Sequence, residues 1–329
     1  MAELTDTFGR KATNLRISVT DRCNFRCRYC MPEEGMQWLG KDKLLSFEEI
    51  TRLVHIFASL GISKIRLTGG EPLMRKELWK LVRMLREIPG IRDIAMTTNG
   101  YFLKEQAEEL VKAGLDRVNV SLDSLDHRVF ADMARRDELT KTWEGIEEAE
   151  RVGLGPIKLN VVLIRDVNDG EILRFAELAR SRAFVIRFIE FMPLGKDDGW
   201  AMDKVITTKE IVDTINMYAP LIPIPMEDER IPADRYVFED GRGEIGFISS
   251  VSEPFCGDCN RVRLTSDGKF RTCLFSIKET DLRTLLRTGV TDGEIAETLV
   301  ASVVKKEEGH LINRPGFVRP ERTMSQIGG

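Results

Sequence analysis

All six cysteines of this 329-residue chain fall into two groups of three. The members are Cys23, Cys27 and Cys30, spaced C-x3-C-x2-C, and Cys256, Cys259 and Cys273, spaced C-x2-C-x13-C. Iron–sulfur cubanes normally take four cysteine thiolates, so three thiolates leave one iron with an open position. An open position is where a substrate can bind, as it is at catalytic zinc. The pattern therefore favours two clusters, each with one iron free for a ligand.

Zinc is the alternative reading of the same cysteines. Structural zinc usually has four ligands, and neither group has a fourth cysteine nearby. The three histidines, His55, His127 and His310, are far from both groups in sequence. A zinc site would need ligands brought in from distant parts of the chain, so we favour iron–sulfur clusters over a zinc-stapled binding module.

A second motif, Thr68-Gly69-Gly70-Glu71-Pro72, follows the second predicted strand. It differs from the G-x-G-x-x-G fingerprint of dinucleotide-binding folds. Glycines at the carboxyl end of a strand allow the backbone to approach a ligand closely, and barrel active sites lie at that end. The motif therefore predicts a ligand contact near the first cysteine group.

Short β-rich runs alternate with helical patterns through the first two thirds of the chain, which is typical of a parallel sheet built from βα units. The predicted strands are Asn14–Thr20, Lys64–Thr68, Asp93–Thr98, Arg117–Leu122, Ile157–Ile164 and Val185–Met192. A helix after Ser46 is predicted by a capping box with Glu49 and by Gly61 at its end. Further helices are predicted at Arg75–Ile88, Leu103–Ala113, Thr140–Val152 and Asp169–Arg182. Six repeats are too few for an eight-stranded barrel, so we expect an incomplete barrel or an open sheet.

The predicted strands are apolar on one face only. Leu15 and Ile17 alternate with Arg16 and Ser18, and the later strands repeat this pattern. A parallel strand buried on both faces is almost continuously apolar. The polar face therefore predicts a concave interior filled by a ligand, and cations such as Arg16, Arg66 and Lys158 on that face suit an anionic one.

The pattern changes after about Pro193. We expect a barrel domain over residues 1–193 and a smaller α+β extension over residues 194–305 that carries the second cysteine group. The extension has strand patterns at Arg235–Phe238, Glu244–Ile248 and Lys269–Leu274, and helical patterns at Lys278–Arg287 and Asp292–Lys305. Residues 306–329 form a tail without periodicity.

Composition excludes several classes of protein. Lys plus Arg is 49 against 53 for Asp plus Glu, and this net charge of −4 argues against a general nucleic-acid binder. No apolar run reaches the roughly 18 residues of a membrane span, and the N-terminus lacks the pattern of a signal peptide. We therefore expect a cytoplasmic protein without nucleic-acid or membrane partners, whose cysteines stay reduced.

The cysteine spacing after a first strand, followed by Gly-Gly-Glu-Pro after the second, resembles the radical S-adenosylmethionine (SAM) superfamily. The resemblance implies an incomplete (βα)6 barrel and an open iron that chelates SAM. It also implies cleavage of SAM to a 5′-deoxyadenosyl radical after transfer of one electron. The SAM contacts that it implies are Tyr29, Gly70, Ser121 and Met192.

Three segments, Cys30–Gly35, Cys256–Arg261 and Ile327–Gly329, narrow the resemblance to the family of molybdenum cofactor biosynthesis protein A, the GTP 3′,8-cyclases. In that family the second cysteine group holds another [4Fe–4S] cluster, whose open iron binds guanine. The adenosyl radical removes the ribose 3′ hydrogen, and the resulting carbon radical attacks guanine C8. The implied GTP contacts are Arg16, Arg66, Thr97, Lys158, Arg261, Val262 and Arg263.

The same resemblance implies a catalytic tail and two partner proteins. The terminal Gly328 and Gly329 are expected to reach the active site and to be needed for turnover. A small electron-donor protein and a downstream cyclic pyranopterin monophosphate synthase are the implied partners, and a homodimer is compatible with the family. A radical SAM enzyme that modifies peptides is the nearest rival, although such enzymes typically carry more than three cysteines in their extensions.

Overall fold

The computed structural model describes residues 3–194, 199–225 and 233–328. The strands within these ranges are β1 (Asn14–Ser18), β2 (Lys64–Thr68), β3 (Asp93–Thr98), β4 (Arg117–Ser121), β5 (Lys158–Leu163), β6 (Val185–Glu190), β7 (Leu221–Pro223), β8 (Asp234–Phe238), β9 (Glu244–Ile248), β10 (Arg261–Leu264), β11 (Lys269–Arg271) and β12 (Thr280–Asp281). The α-helices are α1 (Phe47–Ser59), α2 (Leu78–Arg86), α3 (Leu103–Ala113), α4 (His127–Ala134), α5 (Leu139–Arg151), α6 (Ile172–Ser181), α7 (Thr208–Asn216), α8 (Leu282–Arg287), α9 (Asp292–Val304) and α10 (Met324–Ile327).

These strands form one sheet in the order β12-β11-β10-β1-β2-β3-β4-β5-β6-β9-β8-β7. Neighbouring strands are parallel from β10 through to β9, and the outer strands pair antiparallel. Because β1 to β6 run parallel in chain order, each βα unit returns to the same edge of the sheet. The predicted α/β architecture with six βα units is confirmed.

The C-terminal extension joins the sheet of the first six strands. Its strands β9 and β10 pair in parallel with β6 and β1 and so lengthen the sheet at both ends. We did not predict β10, because two of its four residues are arginines and the strand lacks a continuous apolar run. The residues on both sides of the predicted boundary near residue 194 therefore contribute strands to the same sheet.

Local signals account for the helix boundaries. The capping box at the start of α1 is formed as predicted, with Glu49 N–H donating to Ser46 Oγ at 3.1 Å. Helix α2 begins three residues later than predicted, because Pro72–Met74 form a 3-10 turn and Glu77 is left-handed at φ 56°. The start of α8 is also later than predicted, because Thr280–Asp281 pair with β11.

The two faces of the parallel strands differ as their alternation predicts. Leu15, Ile17 and Leu67 are fully buried in the main hydrophobic core under the helices. Transfer data for apolar surface put each such side chain at about 1.5–3 kcal/mol of stabilisation. The opposite face, with Arg16 and Arg66, lines a cavity. No helix within the described residues is both long enough and apolar enough to cross a bilayer.

Candidate active site

One cavity of about 430 Å³ is lined by both cysteine groups, that is by Cys23, Cys27, Cys30, Cys256, Cys259 and Cys273. The first group follows β1 and lies at the carboxyl ends of the parallel strands. The second group lies at their amino ends, because Cys259 precedes β10, which is parallel to β1, and Cys273 follows the antiparallel β11. The two groups therefore border the cavity from opposite ends of the strands.

The loop that carries the first group is held by the glycine motif. Gly70 N–H donates to the Thr20 carbonyl at 2.8 Å, and Glu71 N–H donates to the Arg22 carbonyl at 2.7 Å. A Cβ on Gly70 would stand 2.4 Å from the Arg22 oxygen, and one on Gly69 would stand 2.6 Å from the Thr20 oxygen. Glycine is thus required at both positions because the backbone of the cysteine loop approaches here. Gly70 also lines the cavity, where the sequence predicts that it contacts a ligand.

Glu71 connects this motif to the next strand. Its carboxylate accepts hydrogen bonds from Thr98 Oγ1 and from the Asn99 backbone, both at 2.7 Å. Burial raises the pKa of Glu71 to about 7 in spite of these bonds. The Asn99 amide in turn lies 3.9 Å from Cys23 Sγ. Sequence reasoning did not single out this positioning role, because a lone glutamate after two glycines looks like part of a turn.

The donor set of the first group fits an iron–sulfur cluster. The three thiols are free and are electrostatic neighbours of one another. Burial raises the pKa of Cys23 and of Cys30 to about 12, so coordination of a metal would be needed to hold these thiols as thiolates. Among the described residues no three His, Cys, Asp or Glu side chains converge on a single ion. A cubane needs no such convergence, because each thiolate binds a different iron.

The second group has a more cationic environment. Burial raises the pKa of Cys259, but the cations Arg261 and Lys306 outweigh it and bring that pKa to about 6. Arg261 Nη2 donates to Cys259 Sγ at 3.4 Å. Cys256 and Cys273 are neighbours of the same thiol, so this group too supplies three clustered sulfur donors.

Three arginines form a row across the polar face. Arg263 on β10, Arg16 on β1 and Arg66 on β2 are direct partners in the sheet register. Burial and the neighbouring arginines lower the pKa of Arg16, and burial lowers the pKa of Arg66 to about 9. None of the three makes an ion pair with a carboxylate of the described residues, and Arg16 Nε has no hydrogen-bond partner. Such a row is suited to bind several negative charges of one ligand.

Other polar residues continue this surface. Thr97 lies on β3, where its hydroxyl is 3.5 Å from Arg66 Nη1, and Lys158 begins β5. Burial and the charges of Arg187 and Arg117 lower the pKa of Lys158 to about 8. Further polar strand residues that line the cavity are Asn14, Lys64, Arg117, Asn119, Asn160 and Arg187. Strand alternation alone places Asn119 and Asn160 on the polar face, although the family resemblance assigns them no GTP contact, and the same alternation in β6 could have identified Arg187.

The four residues expected to contact SAM all line the cavity. Tyr29 lies between two cysteines, and its hydroxyl donates to Asp123 Oδ2 at 2.8 Å. Ser121 ends β4, and Met192 follows β6 by two residues. These positions follow from the parallel sheet, which brings its carboxyl ends to one edge.

Val262 is the expected site residue whose side chain the structure places elsewhere. It is fully buried in the main hydrophobic core and does not line the cavity. The reason is the alternation of β10, which directs Arg261 and Arg263 to the cavity and the residue between them to the helices. This side chain therefore faces away from the cavity, and the GTP contact expected at Val262 stays a prediction.

The tail packs against the carboxyl ends of β1 and β2, where Ser18 and Thr68 are partners in the sheet register. Gly328 has φ 83°, and a Cβ there would stand 2.5 Å from Thr68 Oγ1 and 3.0 Å from Ser18 Cβ. Its carbonyl accepts a hydrogen bond from Arg263. The helix before it is short, with Ser325 and Ile327 buried. Gly329, the other predicted catalytic glycine, lies outside the described residues.

Comparisons with known proteins agree with this geometry. Residues 17–179 match the Radical SAM superfamily, and residues 184–312 match the family described as Molybdenum Cofactor Synthesis C. The GTP 3′,8-cyclase of Thermodesulfovibrio yellowstonii is 46% identical over 99% of this chain and 100% of its own length. The chain belongs to the GTP 3′,8-cyclase family. The GTP 3′,8-cyclase of Streptomyces coelicolor is 44% identical over 99% of the chain and 96% of its own length.

A solved structure supports the fold. The crystal structure of Streptococcus suis SuiB bound to S-adenosylmethionine has a TM-score of 0.62 over 95% of this chain and 76% of its own length. Its sequence is 14% identical, so the likeness concerns the fold alone. It agrees with the radical SAM architecture that the cysteine spacing predicts.

Proposed function

We propose that this chain converts GTP to (8S)-3′,8-cyclo-7,8-dihydroguanosine 5′-triphosphate, the first step of molybdenum cofactor biosynthesis. The observation that carries the proposal is one cavity that both thiol groups line together with a row of arginines, which have no carboxylate partner among the described residues. Full-length relatives named GTP 3′,8-cyclase support it. The enzyme is a lyase of the radical SAM type.

Two [4Fe–4S] clusters and SAM are the cofactors. Cys23, Cys27 and Cys30 would hold the first cluster, and Cys256, Cys259 and Cys273 would hold the second. The chemistry that the first cluster and SAM supply when bound is a 5′-deoxyadenosyl radical, which removes the ribose 3′ hydrogen of GTP so that C3′ can bond to guanine C8. The positions of Tyr29, Gly70, Ser121 and Met192 in the cavity support their role as SAM contacts.

The residues of the chain bind and orient the substrate. Arg16, Arg66 and Arg263 would bind the phosphates through charge-assisted hydrogen bonds, which are strong in a cavity with little water. Thr97, Lys158 and Arg261 would add contacts on the same surface. The family resemblance implies that guanine lies at the second cysteine group, which lines the same cavity as the arginine row.

The tail closes one side of the cavity in this proposal. Because Gly328 packs against Ser18 and Thr68 and its carbonyl binds Arg263, this part of the tail lies beside the arginine row. A tail in this place would exclude water and hold Arg263 in position. Gly328 and Gly329 thus act in turnover, as the family resemblance implies.

The chemistry of the proposed reaction requires an electron donor and a protein that takes up the product. Radical formation consumes one electron, and conversion of the cyclised radical to the 7,8-dihydro product consumes a second electron and a proton, so a small electron-donor protein is needed. The product is a cyclised nucleotide and must pass to a cyclic pyranopterin monophosphate synthase before a pterin exists. The homodimer and the cytoplasmic location remain predictions.

The test is anaerobic turnover with deuterated substrate. Reconstituted protein is incubated with SAM, dithionite and GTP carrying deuterium at C3′, and the products are separated and weighed by mass spectrometry. We expect an isomer of GTP that lacks the deuterium and a 5′-deoxyadenosine that contains it. Deoxyadenosine without deuterium, together with unchanged GTP, would contradict the proposal. A reaction without GTP is the control for uncoupled SAM cleavage.

A further inference from the structure

Two buried cations outside the cavity hold the turn that carries Cys256 and Cys259. They are Arg10, near the N-terminus, and Lys306, two residues after α9. Both are at least nine-tenths buried, and neither lines the cavity, so neither can touch the substrate. Each of them instead donates to a carbonyl of the cysteine turn, Arg10 to that of Cys256 and Lys306 to that of Cys259.

Lys306 directs all of its donors at this turn. Its Nζ lies 2.9 Å from the Cys259 carbonyl, 3.1 Å from the Arg261 carbonyl and 3.7 Å from Cys259 Sγ. An ammonium group has three donors, so its hydrogen-bonding capacity is filled here. In the part of the chain that the structure describes, no carboxylate lies within ion-pair distance of this ammonium group. Its positive charge is therefore balanced only by the sulfur side of the site.

Arg10 holds the same turn, but its charge is neutralised. Nη1 donates to the Cys256 and Glu308 carbonyls, and Nη2 donates to the Glu307 carbonyl, all at 2.7 Å. Nε binds Asp6 at 2.6 Å, and both side chains of this ion pair are buried. Arg10 thus ties the N-terminal segment to the Cys256 turn and to the segment that follows Lys306.

We propose that Lys306 is a positioning residue that sets the reduction potential of the second cluster, and that Arg10 is a positioning residue that retains the cluster without changing its potential. This inference rests on the two-cluster function proposed above. Hydrogen bonds to sulfur and nearby net charge tune iron–sulfur potentials. A positive charge beside Cys259 favours the more negative, reduced state, so Lys306 raises the potential. The Arg10–Asp6 pair has no net charge, and Arg10 reaches the cysteine turn through the backbone carbonyl of Cys256 and not through a sulfur.

The test compares four variants of the full, anaerobically reconstituted chain with the wild type. Lys306→Met removes the charge and the donors, Lys306→Gln keeps donors without charge, and Lys306→Arg keeps both. Arg10→Lys keeps the ion pair with Asp6 but loses the bonds to the carbonyls. Potentials come from redox titration followed by electron paramagnetic resonance, and the signal of the second cluster is identified by its loss in Cys259→Ser.

We expect a more negative potential of the second cluster in Lys306→Met and Lys306→Gln, with the wild-type value restored in Lys306→Arg. Arg10→Lys should keep the wild-type potential but release iron to a chelator about tenfold faster, the change expected for loss of the one charge-assisted bond that Arg10 makes to the cysteine turn, at the Cys256 carbonyl. The first cluster should be unchanged in every variant.

An unchanged potential in both Lys306→Met and Lys306→Gln overturns the role of Lys306. If Lys306→Met does not fold, Lys306→Gln decides alone. An equal potential shift in Arg10→Lys overturns the distinction between the two cations. A wild-type protein without a second-cluster signal would refute the two-cluster function itself, and this result is distinct from the other two.

Discussion

Replacing Arg16 by Met should stabilise the nucleotide-free protein while weakening GTP binding. Arg16 lies between Arg263 and Arg66 in the sheet register and has no carboxylate partner within the described residues. Burial and these neighbours lower its pKa, so its charge is disfavoured in the free protein. Methionine keeps the length of the side chain and removes the charge.

The magnitude follows from the spacing of the strands. Neighbouring strands lie about 4.8 Å apart, and two like charges at about 5 Å repel by about 3 kcal/mol at an effective dielectric constant of about 20. Side-chain movement and counterions reduce this, and we expect a gain of about 1–2 kcal/mol, or about 1.5–3 °C in melting temperature for a chain of this length. Loss of one charge-assisted bond to phosphate costs about 1.5–3 kcal/mol, which weakens GTP affinity roughly ten- to a hundredfold.

The assay combines calorimetry and thermal unfolding under anaerobic conditions, with and without GTP. Arg117→Met is the matched control, because Arg117 lines the same cavity but is paired with Asp93. We expect no gain in stability in Arg117→Met, because the charge of Arg117 already has a partner in Asp93. Iron content and SAM binding should be equal in all three proteins.

Two results would refute the reasoning about Arg16. A lower melting temperature of nucleotide-free Arg16→Met would show that the guanidinium stabilises the sheet. Equal GTP affinities of Arg16→Met and the wild type would show that the arginine row does not bind the substrate. The first result would reject the expected charge repulsion within the arginine row, and the second would reject its role in binding GTP.

Three further predictions concern the clusters, the tail and pH. Reconstituted protein should hold about eight irons per chain, and Cys27→Ser should abolish SAM cleavage; iron for one cluster only would contradict this. Gly328→Ala, which places a Cβ 2.5 Å from Thr68 Oγ1, should lower cyclised product per deoxyadenosine while SAM cleavage continues; an unchanged ratio would assign the tail no catalytic role. The pKa of Lys158 is lowered to about 8, so GTP affinity should fall as pH rises through that value and the amine loses its charge; Lys158→Arg should flatten this part of the profile, and an equal slope in both proteins would exclude Lys158 as its source.

Much of the site could be predicted because it depends on local spacing. The cysteine groups, the glycine motif and the polar face are all visible as short patterns, and a parallel sheet brings the ends of its strands together whatever their sequence separation. The capping box of α1 was predictable for the same reason, since Ser46 and Glu49 are three residues apart.

Long-range placement could not be predicted in this way. Strand β10 lies beside β1 although about 245 residues separate them in sequence, and nothing local in Arg-Val-Arg-Leu specifies that partner. The positions of Lys306 and Arg10 against the cysteine turn depend on the same long-range pairing. The family resemblance implies GTP contacts at three consecutive residues of β10, whereas strand alternation directs only the first and third side chains to the cavity, so the contact at Val262 stays a prediction.

The polar atoms left without protein partners indicate what kind of ligand the cavity accepts. Asn14 Oδ1, Asn119 Oδ1, Asn160 Oδ1 and Arg16 Nε are buried without hydrogen bonds within the described protein, and all four residues line the cavity. Leaving such a group unsatisfied costs about 1–3 kcal/mol, so four together approach the whole stability of a typical domain. Their partners must therefore come from the contents of the cavity. Amide oxygens accept from hydroxyl and amino groups, whereas guanidinium groups donate to phosphates. A simple polyanion would satisfy only the arginine, but a nucleotide offers both kinds of group.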